Sequence, residues 1–190
     1  MAGQKQLEFR IIAGDLKGKR IVCPDLGITR PPLTRVRKAI FDYLMPYLSE
    51  ADYLDLFSGT GSYLFEAVSR GAKNVTGVEL EKKLSESINA QAREYGVGEK
   101  LQCLTGDVFT VVPGLARRKL RFAIIMMAPP QYQRIIDRSL KLLGEHQLLS
   151  PNGQIICQHD TSETDKIDWA SWRIIQQRKY GNTTFTILGR

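Results

Sequence analysis

The chain has 190 residues, 43% hydrophobic and 25% charged, with 27 basic against 20 acidic side chains for a net charge of +7. That length supports one well-buried core rather than two roomy domains. No apolar run approaches the roughly 20 residues of a membrane-crossing helix, so no membrane partner is expected. Cys23, Cys103 and Cys157 stand far apart without paired spacing, which argues against disulfides and a metal site. The opening "MAGQKQLEFR" lacks the apolar segment of an export signal, and a cytoplasmic location is expected.

The charge is concentrated at one end: residues 1–40 hold 9 basic and 3 acidic residues, a net +6. An arm this lopsided carries the electrostatic footprint of a nucleic-acid binder. Within it, "FRIIAGDLKGKRIVC" (9–23) alternates around Gly14 and Gly18 and predicts a small hairpin. Thr34 is placed as the N-cap of a helix whose stripe is Val36, Ala39, Ile40, Tyr43, Leu44 and Tyr47, with Arg35, Arg37 and Lys38 expected on the opposite face.

After residue 50 the pattern changes. "DYLDLF" reads as a strand, "SYLFEAVSRG" as a helix stopped by Gly71, "NVTGVE" (74–79) as a second strand, and Glu81–Tyr95 as a helix stopped by Gly96. "KLQCLTGD", "LRFAIIMM" and "GQIICQH" give three more strands, with a helix from about Gln133 to Leu143 before the last. Strands alternating with helices predict an α/β fold, a parallel sheet covered on both faces. "WRIIQQRKYGNTTFTILGR" predicts two further strands as an antiparallel edge hairpin. The expected division is 1–48 as a basic arm packed on the core and 49–190 as the main domain.

Ligands of open α/β sheets bind at the C-terminal ends of the strands. There "DLFSGTG" offers Gly59 and Gly61 for a tight turn and close ligand approach. Glu79 follows about 20 residues after the first glycine, the spacing at which a carboxylate holds ribose hydroxyls. Asp107, after the third strand, stands where an acid accepts from an adenine amino group, or caps a helix. A P-loop is absent, and Leu64 occupies the position where a dinucleotide fingerprint needs a small residue. An adenosine ligand without phosphates remains, with S-adenosylmethionine leading and an NAD-dependent dehydrogenase as the lesser alternative. Asp55 would lie near the ligand's ammonium, or merely hold the glycine turn.

The segments "FRIIAGDLKGKRIVCP", "RPPLTRVRKAIFDYL", "DLFSGTGSYLFEAVSRGA", "GVELEKK" and a strand-proline-proline corner follow in the order and spacing of the bacterial small-subunit ribosomal RNA guanine-N2 methyltransferases, which this chain resembles over most of its length. The resemblance implies a Rossmann-like, seven-stranded methyltransferase sheet preceded by a basic hairpin and helix. A monomer is expected. It implies S-adenosylmethionine bound by Asp55, Phe57, Ser58, Gly59, Gly61, Glu79, Leu80, Asp107 and Val108. It implies ribosomal RNA or the small subunit as partner, met by Arg10, Lys17, Lys19, Arg20, Arg30, Arg35, Arg37 and Lys38.

The family corner, Asp-Pro-Pro followed by Tyr or Phe, uses its acid and a proline carbonyl to accept the two N–H bonds of an exocyclic amine, while the ring stacks on the base. Here the corner reads Ala128-Pro129-Pro130-Gln131-Tyr132, without the acid and with the aromatic one position late. Gln158 and His159 stand near an expected glutamate, and Pro32, Thr34 and Lys38 also depart from the family pattern. Three readings follow: an active guanine methyltransferase using the remaining groups, an enzyme for another acceptor, or a cofactor-binding RNA-binding assembly factor. The cofactor half keeps the enzyme first. Arg134, Arg138 and Lys141 share a helical face past the corner, a solvated surface that is also suited to phosphates.

Overall fold

The computed structural model describes residues 5–28, 32–130, 134–169 and 171–190. Apolar strands joined by helices build a seven-stranded sheet from β3 (Asp52–Asp55), β4 (Asn74–Glu79), β5 (Leu101–Thr105), β6 (Phe122–Met127), β7 (Leu149–Asp160), β8 (Arg173–Tyr180) and β9 (Thr183–Gly189). Its order is β5-β4-β3-β6-β7-β9-β8, parallel from β5 to β7 and antiparallel at β9 and β8. The chain starts in the middle at β3 and runs outward first one way and then the other. The switch point, where β3 lies between β4 and β6, is where such sheets bind ligands.

The period-two geometry of strands separates two cores. Tyr53, Ile124, Met126 and Ile156 face one side, beneath α1 (Thr34–Leu48), α2 (Ser62–Ser69) and α3 (Lys82–Glu94). Leu54, Ile125, Met127 and Cys157 face the other, beneath α4 (Val108–Arg117) and α5 (Ile135–His146). No helix is expected after the third strand, yet α4 is there. Pro113 and Gly114 interrupt its pattern, while the Asp107 carboxylate caps it by accepting the Phe109 N–H at 2.9 Å. Among the described residues, no helix is long and apolar enough to cross a membrane.

β1 (Gln6–Arg10) and β2 (Arg20–Pro24) form a separate antiparallel hairpin. Its Phe9, Ile11, Leu16 and Ile21 are buried in the first core, and burying each such side chain contributes about 1.5–3 kcal/mol. Polar ties add direction. Ser69 Oγ donates to the Ala13 carbonyl at 2.6 Å and accepts the Leu16 N–H at 3.0 Å, and the Gln91 carboxamide bonds both the N–H and carbonyl of Val22. Gly14, at φ +83°, is required here, because a Cβ would lie 1.8 Å from the Ser69 carbonyl oxygen.

Two expectations for α1 need correction. Thr34 is the first helical residue and not the cap, since the Val36 and Arg37 N–H groups already bond the Leu33 carbonyl. Arg37 is not on the solvent face with Arg35 and Lys38: it is 2% exposed. Its position continues the buried stripe of Phe41, Leu44 and Leu48, and its Nε lies 3.4 Å from the buried Glu66 carboxylate. It also donates to the Arg10 carbonyl at 2.6 Å and covers the Phe9 ring. Glu66 pairs in addition with Arg70 at 3.1 Å and accepts the Ile12 N–H at 2.6 Å. Arg37 is thus a buried strut between hairpin, α1 and α2, unavailable to RNA phosphates.

Candidate active site

The turn from β3 to α2 forms the floor of the site. Gly59 and Gly61 hold positive φ (51° and 78°), and the Gly61 N–H closes the turn on the Ser58 carbonyl at 2.7 Å. Space for the turn comes from Gly77 in β4: a Cβ there would meet Ser58 Oγ and Leu64 Cδ1 at 2.6 Å. Gly77 is legible in the sequence as an isolated glycine inside a strand, which marks such close approach.

Asp55, Glu79 and Asp107 emerge from the ends of three adjacent strands, as expected. The Glu79 carboxylate accepts the Gly59 N–H at 2.6 Å and the Glu81 N–H at 2.9 Å, while partial burial raises its pKa. Each carboxylate oxygen keeps a further lone pair. Asp107 is exposed and caps α4, which is the bland alternative of the sequence reading. Phe57 is half-buried, Ser58 and Val108 are buried, and Leu80 beside Glu79 is 66% exposed, an apolar side chain open to a planar ligand.

Asp55 is the electrostatic anomaly. It is fully buried; one oxygen accepts the Phe57 N–H at 3.2 Å, and Oδ2 has no hydrogen-bond partner among the described residues. Burial pushes its pKa up to about 7, against the Phe57 N–H and with help from the Glu79 charge. The Tyr53 hydroxyl, two residues earlier on the same face, is likewise buried and unpartnered among the described residues. Unpaired buried acceptors cost about 1–3 kcal/mol each, more when charged. An ammonium group delivered by a ligand is what this carboxylate lacks, so the residues present fit S-adenosylmethionine.

At the corner after β6, Ala128 is half-buried, Pro129 buried and Pro130 exposed. Gln131 and Tyr132, and likewise Arg30 of the basic arm, lie outside the described residues. One residue links α2 to the end of β7: Tyr63, in the first turn of α2, is buried and donates its hydroxyl to Gln158 Oε1. No sequence signal marks Tyr63, whose partner is 95 positions away. His159 is buried between the Asp160 carbonyl at 2.9 Å and Thr186 Oγ1 at 3.0 Å, and burial lowers its pKa. It is a structural hydrogen-bonding group.

Of the arm's basic residues, Arg10, Lys17, Lys19, Arg20, Arg35 and Lys38 are exposed. Arg20 pairs with Glu8 at 3.1 Å, Lys38 with Asp42, and Lys19 lies over the Tyr95 ring. Exposed pairs of this kind are weak enough for a polyanion to displace. Past the corner, the Arg138 guanidinium covers the Phe109 ring and Lys141 lies 4.0 Å from Glu145, whereas Arg134 is exposed.

The family described as Conserved hypothetical protein 95 matches residues 9–189. The chain belongs to that family. Relatives of this member of the hypothetical-protein-95 family include the ribosomal RNA small subunit methyltransferase D of Haemophilus influenzae, 28% identical over 182 residues, covering 95% of this chain and 93% of the relative. A solved hypothetical protein of Thermus thermophilus superposes with a TM-score of 0.81 at 26% identity, covering 96% of this chain and 99% of that one. An RNA methyltransferase from Salinibacter ruber, solved in complex with S-adenosyl-L-homocysteine, shares the fold at a TM-score of 0.65 and 18% identity, covering 83% and 92%.

Proposed function

We propose that this chain is an S-adenosylmethionine-dependent ribosomal RNA methyltransferase that modifies the exocyclic amine of a guanine in the small subunit, as a monomer in the cytoplasm. The observation that carries the reading is the buried, half-satisfied Asp55 carboxylate beside a glycine turn, with Glu79 and Asp107 at the neighbouring strand ends. The names of the family relatives point the same way.

When bound, the cofactor supplies an electrophilic methyl group. Asp55 would hold its ammonium, Glu79 its ribose hydroxyls and Asp107 its adenine amino group, with Phe57, Leu80 and Val108 beside the purine and the tight turn of Ser58, Gly59 and Gly61 leaving room for it. The Pro129 carbonyl accepts a hydrogen bond from one N–H of the target amine, drawing the nitrogen lone pair out of conjugation, and the proton displaced by the methyl leaves to water; Tyr132 is the aromatic side chain available to the base. Residues 1–48 supply the RNA arm through the exposed Arg10, Lys17, Lys19, Arg20, Arg35 and Lys38 together with Arg30, and 49–190 the transferase domain.

A second reading, a cofactor-binding assembly factor with little catalysis, draws on Ala128 in place of the family's acid; losing one transition-state contact typically costs about 10²- to 10³-fold in rate. Incubation with undermethylated small ribosomal subunits and methyl-labelled S-adenosylmethionine separates the two. Label in the RNA is expected. Cofactor binding by calorimetry without label would favour the assembly factor.

A further inference from the structure

Gln158 lies at the edge of the corner. The last paired residues of β6 and β7 are Met127 and Cys157, so Ala128 and Gln158 are lateral neighbours one step further on parallel strands. Side chains alternate: Cys157 belongs to the second core, and Gln158 projects to the face of Tyr53 and Met126, under α2. Its Oε1 accepts the hydroxyl of the buried Tyr63. A carboxamide has one acceptor oxygen and one donor nitrogen, so occupying the oxygen fixes the plane and leaves Nε2 as the group presented from this half-buried side chain. Where the resemblance leads one to expect acids, the corner therefore carries no charge: Ala128 contributes no polar atom, and Gln158 contributes a donor.

We propose that Gln158 is the specificity-determining residue of the acceptor pocket, donating from Nε2 to the ring-nitrogen lone pair adjacent to the target amine, with Tyr63 as its positioning residue. This rests on the methyltransferase reading and deepens it. The Pro129 carbonyl accepts a hydrogen bond from an amine N–H while Gln158 holds the neighbouring lone pair, so the pocket selects a base edge that pairs an amine with an acceptor nitrogen, such as N2 with N3 of guanine. A carboxylate at 158 would repel that lone pair and demand an N–H in its place. Burial raises the pKa of the Tyr63 phenol, which keeps it a donor over the working pH range.

The test compares wild type with Gln158→Ala, Gln158→Glu and Tyr63→Phe, using undermethylated small subunits and labelled S-adenosylmethionine. Melting curves and cofactor calorimetry are run on each protein, and the labelled nucleoside is identified after digestion. Gln158→Ala should lower kcat/KM for subunits roughly 10- to 100-fold, the range for one lost hydrogen bond to a bound group, with cofactor affinity within about twofold. Gln158→Glu, which keeps the bond from Tyr63 and the shape, should lose more than alanine does. Tyr63→Phe should reduce kcat several-fold with little change in KM, because the donor remains but wanders. The label should sit on an exocyclic amine. Gln158→Ala as active as wild type, Gln158→Glu more active than Gln158→Ala, or a methyl on a ribose oxygen or ring carbon would overturn the proposal. Cofactor binding with no transfer by wild type would overturn it too. Absence of cofactor binding by wild type would instead sink the methyltransferase reading beneath it.

Discussion

Replacing Asp55 by asparagine should make the protein more stable and its cofactor site worse. Burial raises the Asp55 carboxyl from 3.8 to about 7 in the folded state. The folded form thus binds more protons than the unfolded chain, and stability falls as pH rises between about 4 and 7. At 1.36 kcal/mol per pH unit the cost reaches about 4 kcal/mol above pH 7, with roughly 1.5 kcal/mol already present at pH 5. Asparagine carries no charge and keeps the acceptor for the Phe57 N–H. It adds an unpartnered NH₂, at about 1–3 kcal/mol. The variant should therefore exceed wild type by about 1–3 kcal/mol at pH 8, an advantage that shrinks by about 2–3 kcal/mol on going to pH 5. Urea unfolding at both pH values measures the difference, and calorimetry with S-adenosylmethionine measures the expected loss of affinity. A variant less stable at pH 8, or an advantage independent of pH, would refute the view of Asp55 as an uncompensated buried charge. Undiminished affinity would refute its role toward the ammonium.

Arg37→Ala should destabilise the protein by about 2–4 kcal/mol, read by chemical unfolding, because it removes one of the two cations beside the buried Glu66 and the donor to the Arg10 carbonyl, whereas Arg35→Ala should cost under about 0.5 kcal/mol. RNA affinity should fall steeply with salt, and replacing Arg20 and Arg35 by alanine should flatten the slope of log K against log salt by about 2, measured by fluorescence anisotropy. Ala128→Asp should raise methyl transfer to guanine in the chemical step with cofactor affinity little changed, provided a melting curve shows the added carboxylate is tolerated. Wild-type protein should lose S-adenosylmethionine affinity about tenfold between pH 8 and pH 6 in calorimetry, because the ligand's ammonium needs Asp55 ionised.

The sheet was legible because strands buried on both faces read as apolar runs, and the glycine turn because its spacing after β3 follows from backbone geometry. The three acids were legible as strand-end residues, though Asp107 also does the capping that sequence alone cannot separate from ligand binding. Charge misled at Arg37. The stripe of Phe41, Leu44 and Leu48 passes through that position, and only a buried acid elsewhere admits a cation there. Glu66 was the available clue, an acid inside a helix whose every residue from Ser62 to Ser69 is buried. Gln158 stood out as a departure near an expected glutamate, but its pairing with Tyr63 gave no signal, since it depends on a crossover that joins distant segments. Helix α4 was hidden by Pro113, which the Asp107 cap and the packing of Val108, Val112 and Leu115 override.

The hairpin's attachment to Ser69 and Glu66 has a consequence for local opening. A two-stranded hairpin with strands of five residues is marginal by itself, so β1 and β2 borrow their order from α2, the helix whose first turn continues the glycine turn. The amides of Ile12, Asp15 and Leu16 are bonded to α2 side chains or backbone, and they can exchange with deuterium only when that attachment lets go. A ligand that steadies the start of α2 raises the free energy of any opening that includes the helix. Protection bestowed at residues 58–61 should therefore reappear at 12–16, making the N-terminal hairpin a distant reporter of ligand at the glycine turn.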